Sequence, residues 1–442
     1  MNRLGNREIF RVAGPILLSL LFQQMIGLTD TAFLGRVGEV ELGAAALGSV
    51  WFLAVYMLGF GFSVGVQILI ARCNGEGHHS EIGRIFYSGI AFQLLLACIV
   101  FALSRLLSPL LLPRMIRSPE VCAATASYLE YRSYGFFFVY LAVMFRAFYV
   151  GITRTHILTF NSVVMVLANA VLNYALIFGK FGFPAMGIAG AAIASSAAEL
   201  FSVLFYCIYT RCRIDLHKYR LEKIFTFDFA VLRRVLNLSV WTMLQSFVSV
   251  SVWFFFFIAV EHLGERPLAV INLVRNVSAL VFIFTNAFAT AASSLVSNLI
   301  GADRTDEVME LGRRIAVLAL VIVSPFLLFV ALFPQTVLGV FTGNAELIAA
   351  AAGTLIVMAA IQPLQIVAGI WFNVVSGTGS TRTALFIEVG TLLVYLVSVW
   401  YIVLFRRLGT GWCWSTEFYY SFVMLAASLW YLKKARWQGR RI

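Results

Sequence analysis

Residues 8–35 read EIFRVAGPILLSLLFQQMIGLTDTAFLG. As a helix this stretch crosses the roughly 30 Å hydrocarbon core of a bilayer. Asp30 follows about twenty mostly apolar positions within it. An aspartate at the centre of such a helix costs about 2.5–3.5 kcal/mol on insertion scales, so it needs a neighbour or a function. Two readings stay open. Either Asp30 lies near the outer interface beside Arg36 and is solvated, or it faces a water-accessible cavity and binds a proton or a sodium ion. Gln23 shares its face of the helix, and Pro15 precedes both. A proline inside a span breaks the backbone ladder and bends it, although the same residue also suits a first turn.

Comparable apolar runs recur along the chain, at about 43–73, 84–108, 120–149, 156–178, 185–211, 229–262, 267–299, 306–332, 345–376, 381–405 and 412–436. That makes about twelve spans and leaves no room for a soluble domain. Of the 442 residues, 61% are hydrophobic and 12% charged, with a mean hydropathy of +0.89. A soluble domain carries roughly 25% charged residues, so the chain is read as an all-α integral membrane protein. Long period-2 alternation is missing, which excludes a membrane barrel.

The net charge of +12 gathers between apolar segments rather than on a patch suited to nucleic acid. With the N-terminus inside, 23 of the 33 lysines and arginines fall on the cytoplasmic side and 8 outside, while Arg132 and Arg275 lie within spans. That asymmetry places both termini in the cytoplasm of a multi-pass cell-membrane protein. Six scattered cysteines suggest neither a disulfide framework nor a metal site. The basic start without a small-residue cleavage site reads as the beginning of the first helix rather than a signal peptide.

The longest charged connection, 212–228, lies mid-chain and divides a six-helix lobe at 1–211 from another at 229–442. A constant offset of 226 relates Gly38 to Gly264, Leu42 to Leu268, Leu47 to Leu273, Gly75 to Gly301 and Gly151 to Gly377. Six spans per repeat preserve topology, which implies a pseudo-two-fold axis along the membrane normal, as in secondary transporters.

Asn169 and Asn173 lie one turn apart in the fifth span and share a face. They suit either a cation shell or interhelical hydrogen bonding. The sixth span opens GIAGAAIASSAAE, a small-residue face, with Ser195 and Glu199 one turn apart. Glu199 is a candidate cavity residue unless it approaches the cytoplasmic end near Arg211. In the second half the offset puts Phe256 where Asp30 would stand. Glu388 and Arg275 remain inside spans and are expected to pair with each other or with Glu261, more as a buried structural pair than as a coupling site. Pro363, flanked by Gln362 and Gln365, suggests a kinked, cavity-lining helix. No phosphate-binding loop points to ATP hydrolysis, and no cluster of His, Asp or Ser points to a membrane enzyme.

Taken together, these residues resemble the multidrug and toxic compound extrusion (MATE) family over essentially the whole chain. The specific matches are Pro15 with Asp30, the glycine turns near Gly75 and Gly301, and Asn169…Asn173 followed by GIAGAAIAS. The resemblance implies that Pro15 bends the first helix and that Asp30 carries cation coupling. It also implies that Asn169, Ala191 and Ser195 surround the same ion site. The second N-lobe acid of archaeal members falls at Asn173, and the C-lobe acids of the NorM-like branch are missing, with Gln362 near one of them. The chain therefore looks closer to the DinF-like branch.

The expected function is a proton- or sodium-coupled antiporter, without cofactor, that exports amphipathic and often cationic organic molecules as a monomer. Gln23, Glu199 and Gln362 would line its cavity. The rival reading is a lipid-linked saccharide flippase, which should carry a cationic cavity and extra helices.

Overall fold

A computed structural model describes residues 5–116, 118–222, 228–434 and 437–438. Both termini, part of the expected linker, and Arg3, Arg117, Lys223, Arg436, Arg440 and Arg441 of the charge count lie outside the described residues.

The helices are α1 (Asn6–Leu34), α2 (Glu39–Gly75), α3 (His79–Met115), α4 (Pro119–Arg132), α5 (Gly135–Gly151), α6 (His156–Phe178) and α7 (Gly187–Arg213). They continue as α8 (Phe229–Glu261), α9 (Glu265–Gly301), α10 (Val308–Leu332), α11 (Pro334–Gly339), α12 (Ala345–Gly377), α13 (Thr381–Val399), α14 (Thr410–Trp414) and α15 (Thr416–Lys434). Among the described residues no strand occurs.

Among the described residues, ten helices are long and apolar enough to cross a membrane. Counted as one span, the pair α4–α5, bent by 51°, makes an eleventh. The break falls at Ser133, whose hydroxyl donates to the Glu130 carbonyl three residues back at 2.9 Å, a bond that competes with the helical ladder. In the last expected span, α15 covers 19 residues. It is more polar than the other eleven, with Glu417, three serines and threonines and three tyrosines. The stretch after α13 widens into a π-helical turn at Trp400–Phe405.

The repeat is written in the backbone. α2 and α9 both span 37 residues, and both their ends are displaced by 226. Left-handed turn residues keep the same offset. Gly77 at φ 76° matches Asp303 at 57°, and Thr153 at 59° matches Gly379 at 85°.

By packing, the chain forms two compact units, Gly14–Met243 and Met1–Ala13 with Leu244–Ile442. This cut differs from the lobes drawn at 211 and 229 because α1 and α8 each contribute to both units. In the first unit α2 packs on α3, α4 and α5, while α6 and α7 pair closely. Leu34, Ala44, Tyr128, Leu129, Ile177 and Ala191 pack together as one apolar cluster. In the second unit α12 is the central helix, packed on α9, α10 and α15. Outward faces such as Leu106, Val321 and Val397 are exposed apolar surface of the kind lipid covers.

Candidate functional site

The polar residues of α1 lie on one stripe, spaced by about one or two turns, and α6 answers them at the same period. The Thr159 hydroxyl donates to the Pro15 carbonyl at 3.0 Å. Ser19 and Ser162 share a hydrogen bond of 2.9 Å, and Gln23 donates to the Ser19 hydroxyl at 3.2 Å. Gln23, expected to line the cavity, thus belongs to this α1–α6 seam.

The seam ends at Asp30, half-buried. Asn173 Nδ2 donates to Asp30 Oδ1 at 2.6 Å and Asn169 Nδ2 donates to the same oxygen at 3.2 Å. Ser195 Oγ donates to Oδ2 at 3.1 Å. The second hydrogen of Asn173 goes to Asn169 Oδ1 at 3.0 Å, and that of Asn169 goes to Ser195 Oγ at 3.3 Å. Every side-chain N–H and O–H of the trio is spent, three of them on the carboxylate. The arrangement suits an ionised Asp30. Both asparagines are fully buried. Asn173 Oδ1 is buried and has no donor among the described residues, which leaves one oxygen for an arriving cation. Ala191 precedes Ser195 by one turn, and its methyl lies in the apolar cluster behind the site.

Glu199, one turn beyond Ser195, faces elsewhere. Its carboxylate holds Arg132 in a two-pronged ion pair, with Nη1 to Oε2 at 2.9 Å and Nη2 on Oε1, both side chains buried. The Arg132 guanidinium also lies 3.5 Å over the Phe52 ring. Neither the cytoplasmic end near Arg211 nor an open cavity wall describes this placement. Arg146, counted with the cytoplasmic charges, is a second departure. It is buried in α5 over the Phe60 ring at 5.3 Å.

In the second unit the expected pairing of Glu388 with Arg275 or Glu261 does not form. Glu388 accepts from Ser249 Oγ at 2.6 Å and Tyr420 Oη at 3.0 Å. Arg275 stands over Trp253 and Phe257 at 5.8 and 5.1 Å, where aromatic faces replace a carboxylate. Glu261 is exposed at the end of α8. Buried Gln362 donates to Ser278 Oγ at 3.0 Å, next to Pro363 within α12. Gln365 donates to Glu417 Oε2 at 3.4 Å, and Tyr395 donates to Oε1 at 3.1 Å. Glu417 escaped the reading of the sequence. The i,i+4 pair Glu417–Ser421 inside an apolar run was the signal available.

The MatE family model matches the chain twice, over residues 15–175 and 242–402. The chain belongs to the MATE family. The two matches have equal length, one for each half of the repeat. Among curated relatives of this MATE chain, the probable multidrug resistance protein NorM of Pasteurella multocida is 28% identical over 404 residues, covering 88% of this chain and 84% of that protein. The protein of the same description from Mannheimia succiniciproducens is 23% identical over 423 residues, covering 95% and 90%. Among solved structures, a MOP superfamily transporter from Pyrococcus furiosus matches with a TM-score of 0.86 at 18% identity, over 97% of this chain and 96% of that one. The MATE transporter VcmN of Vibrio cholerae, in its bent form, gives 0.84 at 17% identity over 97% of each. At such identities the likeness is one of fold.

Proposed function

We propose that this MATE protein exports amphipathic, often cationic organic compounds in exchange for a cation bound at Asp30. The observation that carries this reading is a carboxylate in a spanning helix, held by Asn169, Asn173 and Ser195 and by no positive group among its hydrogen-bond partners. The relatives' description as multidrug resistance proteins supports the substrate class.

An arriving cation competes for the oxygens that tie α1 to α6 and α7. A proton on Asp30 cancels the charge and weakens three charge-assisted bonds at once. Sodium would need the amide oxygens to turn inward. Protons are favoured over sodium because the three ligands bring no second negative charge. The weakened seam lets α1 bend near Pro15, which interrupts its ladder, and access to the substrate cavity alternates between the two sides of the membrane. Linkage requires that substrate and cation weaken each other's binding.

On this reading the lobes 1–211 and 229–442, joined by a cytoplasmic linker at 212–228, work as a monomer with both ends in the cytoplasm. The departures at Asn173 and Gln362 align it with the DinF-like branch. The flippase reading is not favoured, since Arg132, the cation near Asp30, is paired with Glu199 rather than left to line a cationic cavity. The test is drug-stimulated collapse of an imposed gradient in proteoliposomes, run with protons and with sodium separately. Collapse of the proton gradient alone is expected. Collapse of neither gradient would remove the reading.

A further inference from the structure

We infer that the C-terminal half carries its own exchangeable proton, bound at Glu388 in a polar seam between α13 and α15. The inference deepens the antiport reading and rests on it for the use of that proton, though not for its presence.

Hydrogen counting makes the first argument. Ser249 has one hydroxyl hydrogen and two acceptors within reach, the Gln245 main-chain carbonyl at 2.9 Å and Glu388 Oε1 at 2.6 Å. One hydrogen cannot serve both. A hydrogen on Glu388 Oε1 satisfies the geometry, because the carboxyl then donates to Ser249 and Ser249 donates to Gln245. The side-chain oxygen of Gln245, one turn away on α8, is buried and also lacks a donor among the described residues.

Charge makes the second. Glu388 is 2% exposed, and its hydrogen-bond partners are the neutral Ser249 and Tyr420. The titratable groups facing it are Tyr420 and Glu417 from α15 and Tyr395 from α13 itself, with the Tyr395 and Tyr420 rings 5.8 Å apart. Glu417 is likewise met by the neutral Tyr395 and Gln365. Arg275 is committed to its two aromatic rings. Two carboxylates in apolar surroundings without a cation are costly when ionised, and a proton removes that cost.

The third observation lies along the seam. Thr391 falls between Glu388 and Tyr395 on α13, at spacings of three and four, and so faces α15 with them. Its hydroxyl is fully buried and unpartnered among the described residues. Ser421, four residues after Glu417 on the facing helix, is in the same condition. Two idle hydroxyls beside two carboxyl groups form a polar track suited to a hydrated proton. When the proton leaves Glu388 for solvent along this track, the carboxylate it leaves accepts from Tyr420. Ser249 then turns its hydrogen from Gln245 to Glu388.

The test has two readouts on the full-length protein in liposomes. Infrared spectroscopy should show protonated-carboxyl absorption at neutral pH that survives Asp30→Asn and loses the Glu388 component in Glu388→Gln. Tetraphenylphosphonium, which has no titratable proton, should then release protons from the wild type, fewer from Glu388→Gln, and none from the double variant. A band unchanged by Glu388→Gln, or equal proton release from that variant and the wild type, overturns the inference. Release unaffected by Asp30→Asn would instead remove the Asp30 reading and leave this one standing. Should Glu388→Gln fail to fold, Ser249→Ala keeps the carboxyl and removes its acceptor. The band should then shift, and an unshifted band counts against the inference.

Discussion

Asp30 and Glu388 are both acidic residues in membrane helices, and their surroundings differ in the currency of hydrogen atoms. Around Asp30 three donors, from two amides and a hydroxyl, are all turned toward one carboxylate. Around Glu388 the donors are only two hydroxyls, Ser249 and Tyr420, and the serine hydrogen is claimed twice. The first environment stabilises a charge and the second a neutral acid. Two halves with one backbone repeat thus solve the same problem, a carboxyl group in apolar surroundings, in opposite ways.

The comparison breaks most directly at Asp30. Asp30→Asn keeps the shape and hydrogen-bonding capacity of the side chain but loses the charge, so gradient-driven export should fall to the level of empty proteoliposomes. Normal export at equal membrane abundance would show that Asp30 is merely solvated. Next comes the buried Arg132–Glu199 ion pair of the N-terminal half. Arg132→Ala leaves Glu199 buried without its cation and should cost about 3–5 kcal/mol, read as a large fall in thermal midpoint. Arg132→Met with Glu199→Leu should recover most of that loss, and failure to recover would show that the pair does more than neutralise itself. Asn173→Ala removes the shortest bond to Asp30, worth about 1.5–3 kcal/mol as a bond to a charged group. It should shift the pH profile of export more than Tyr420→Phe does in the other half, where the bond lost is nearer about 1 kcal/mol. The smallest effect tests the repeat itself. Thr153 adopts the left-handed conformation that glycine takes at the matching position 379. Thr153→Gly should stabilise the protein by about 1 kcal/mol, and Gly379→Thr should destabilise it by a similar amount.

The sequence disclosed the N-terminal site better than the C-terminal one, for a physical reason. Asp30, Asn169 and Asn173 stand out as polar residues on apolar faces, and helical period alone puts the two asparagines together. Ser195 follows a run of small residues that permits close packing. The partner of Glu199 was hidden, since Arg132 is 67 positions away and only the packing of α4 on α7 brings them together. The bend between α4 and α5 was equally silent, because no proline marks it. Glu417 passed unnoticed because α15 is the most polar of the spans and its acid lies near the helix start. Glu388 was seen but given the wrong partner. Opposite charges invite pairing on paper, whereas Arg275 meets two rings instead.

The grouping of Met1–Ala13 with Leu244–Ile442 has a consequence for biogenesis. The opening turns of α1 leave the ribosome 230 residues ahead of the rest of their unit. At about 5–20 residues per second, that interval is roughly ten to fifty seconds. Over that time the start of the chain waits at the membrane surface while Gly14–Met243 is inserted behind it. These early residues are thus among the last to find their neighbours, and stalling translation past Met243 should leave them open to protease or labelling reagents until the second unit arrives.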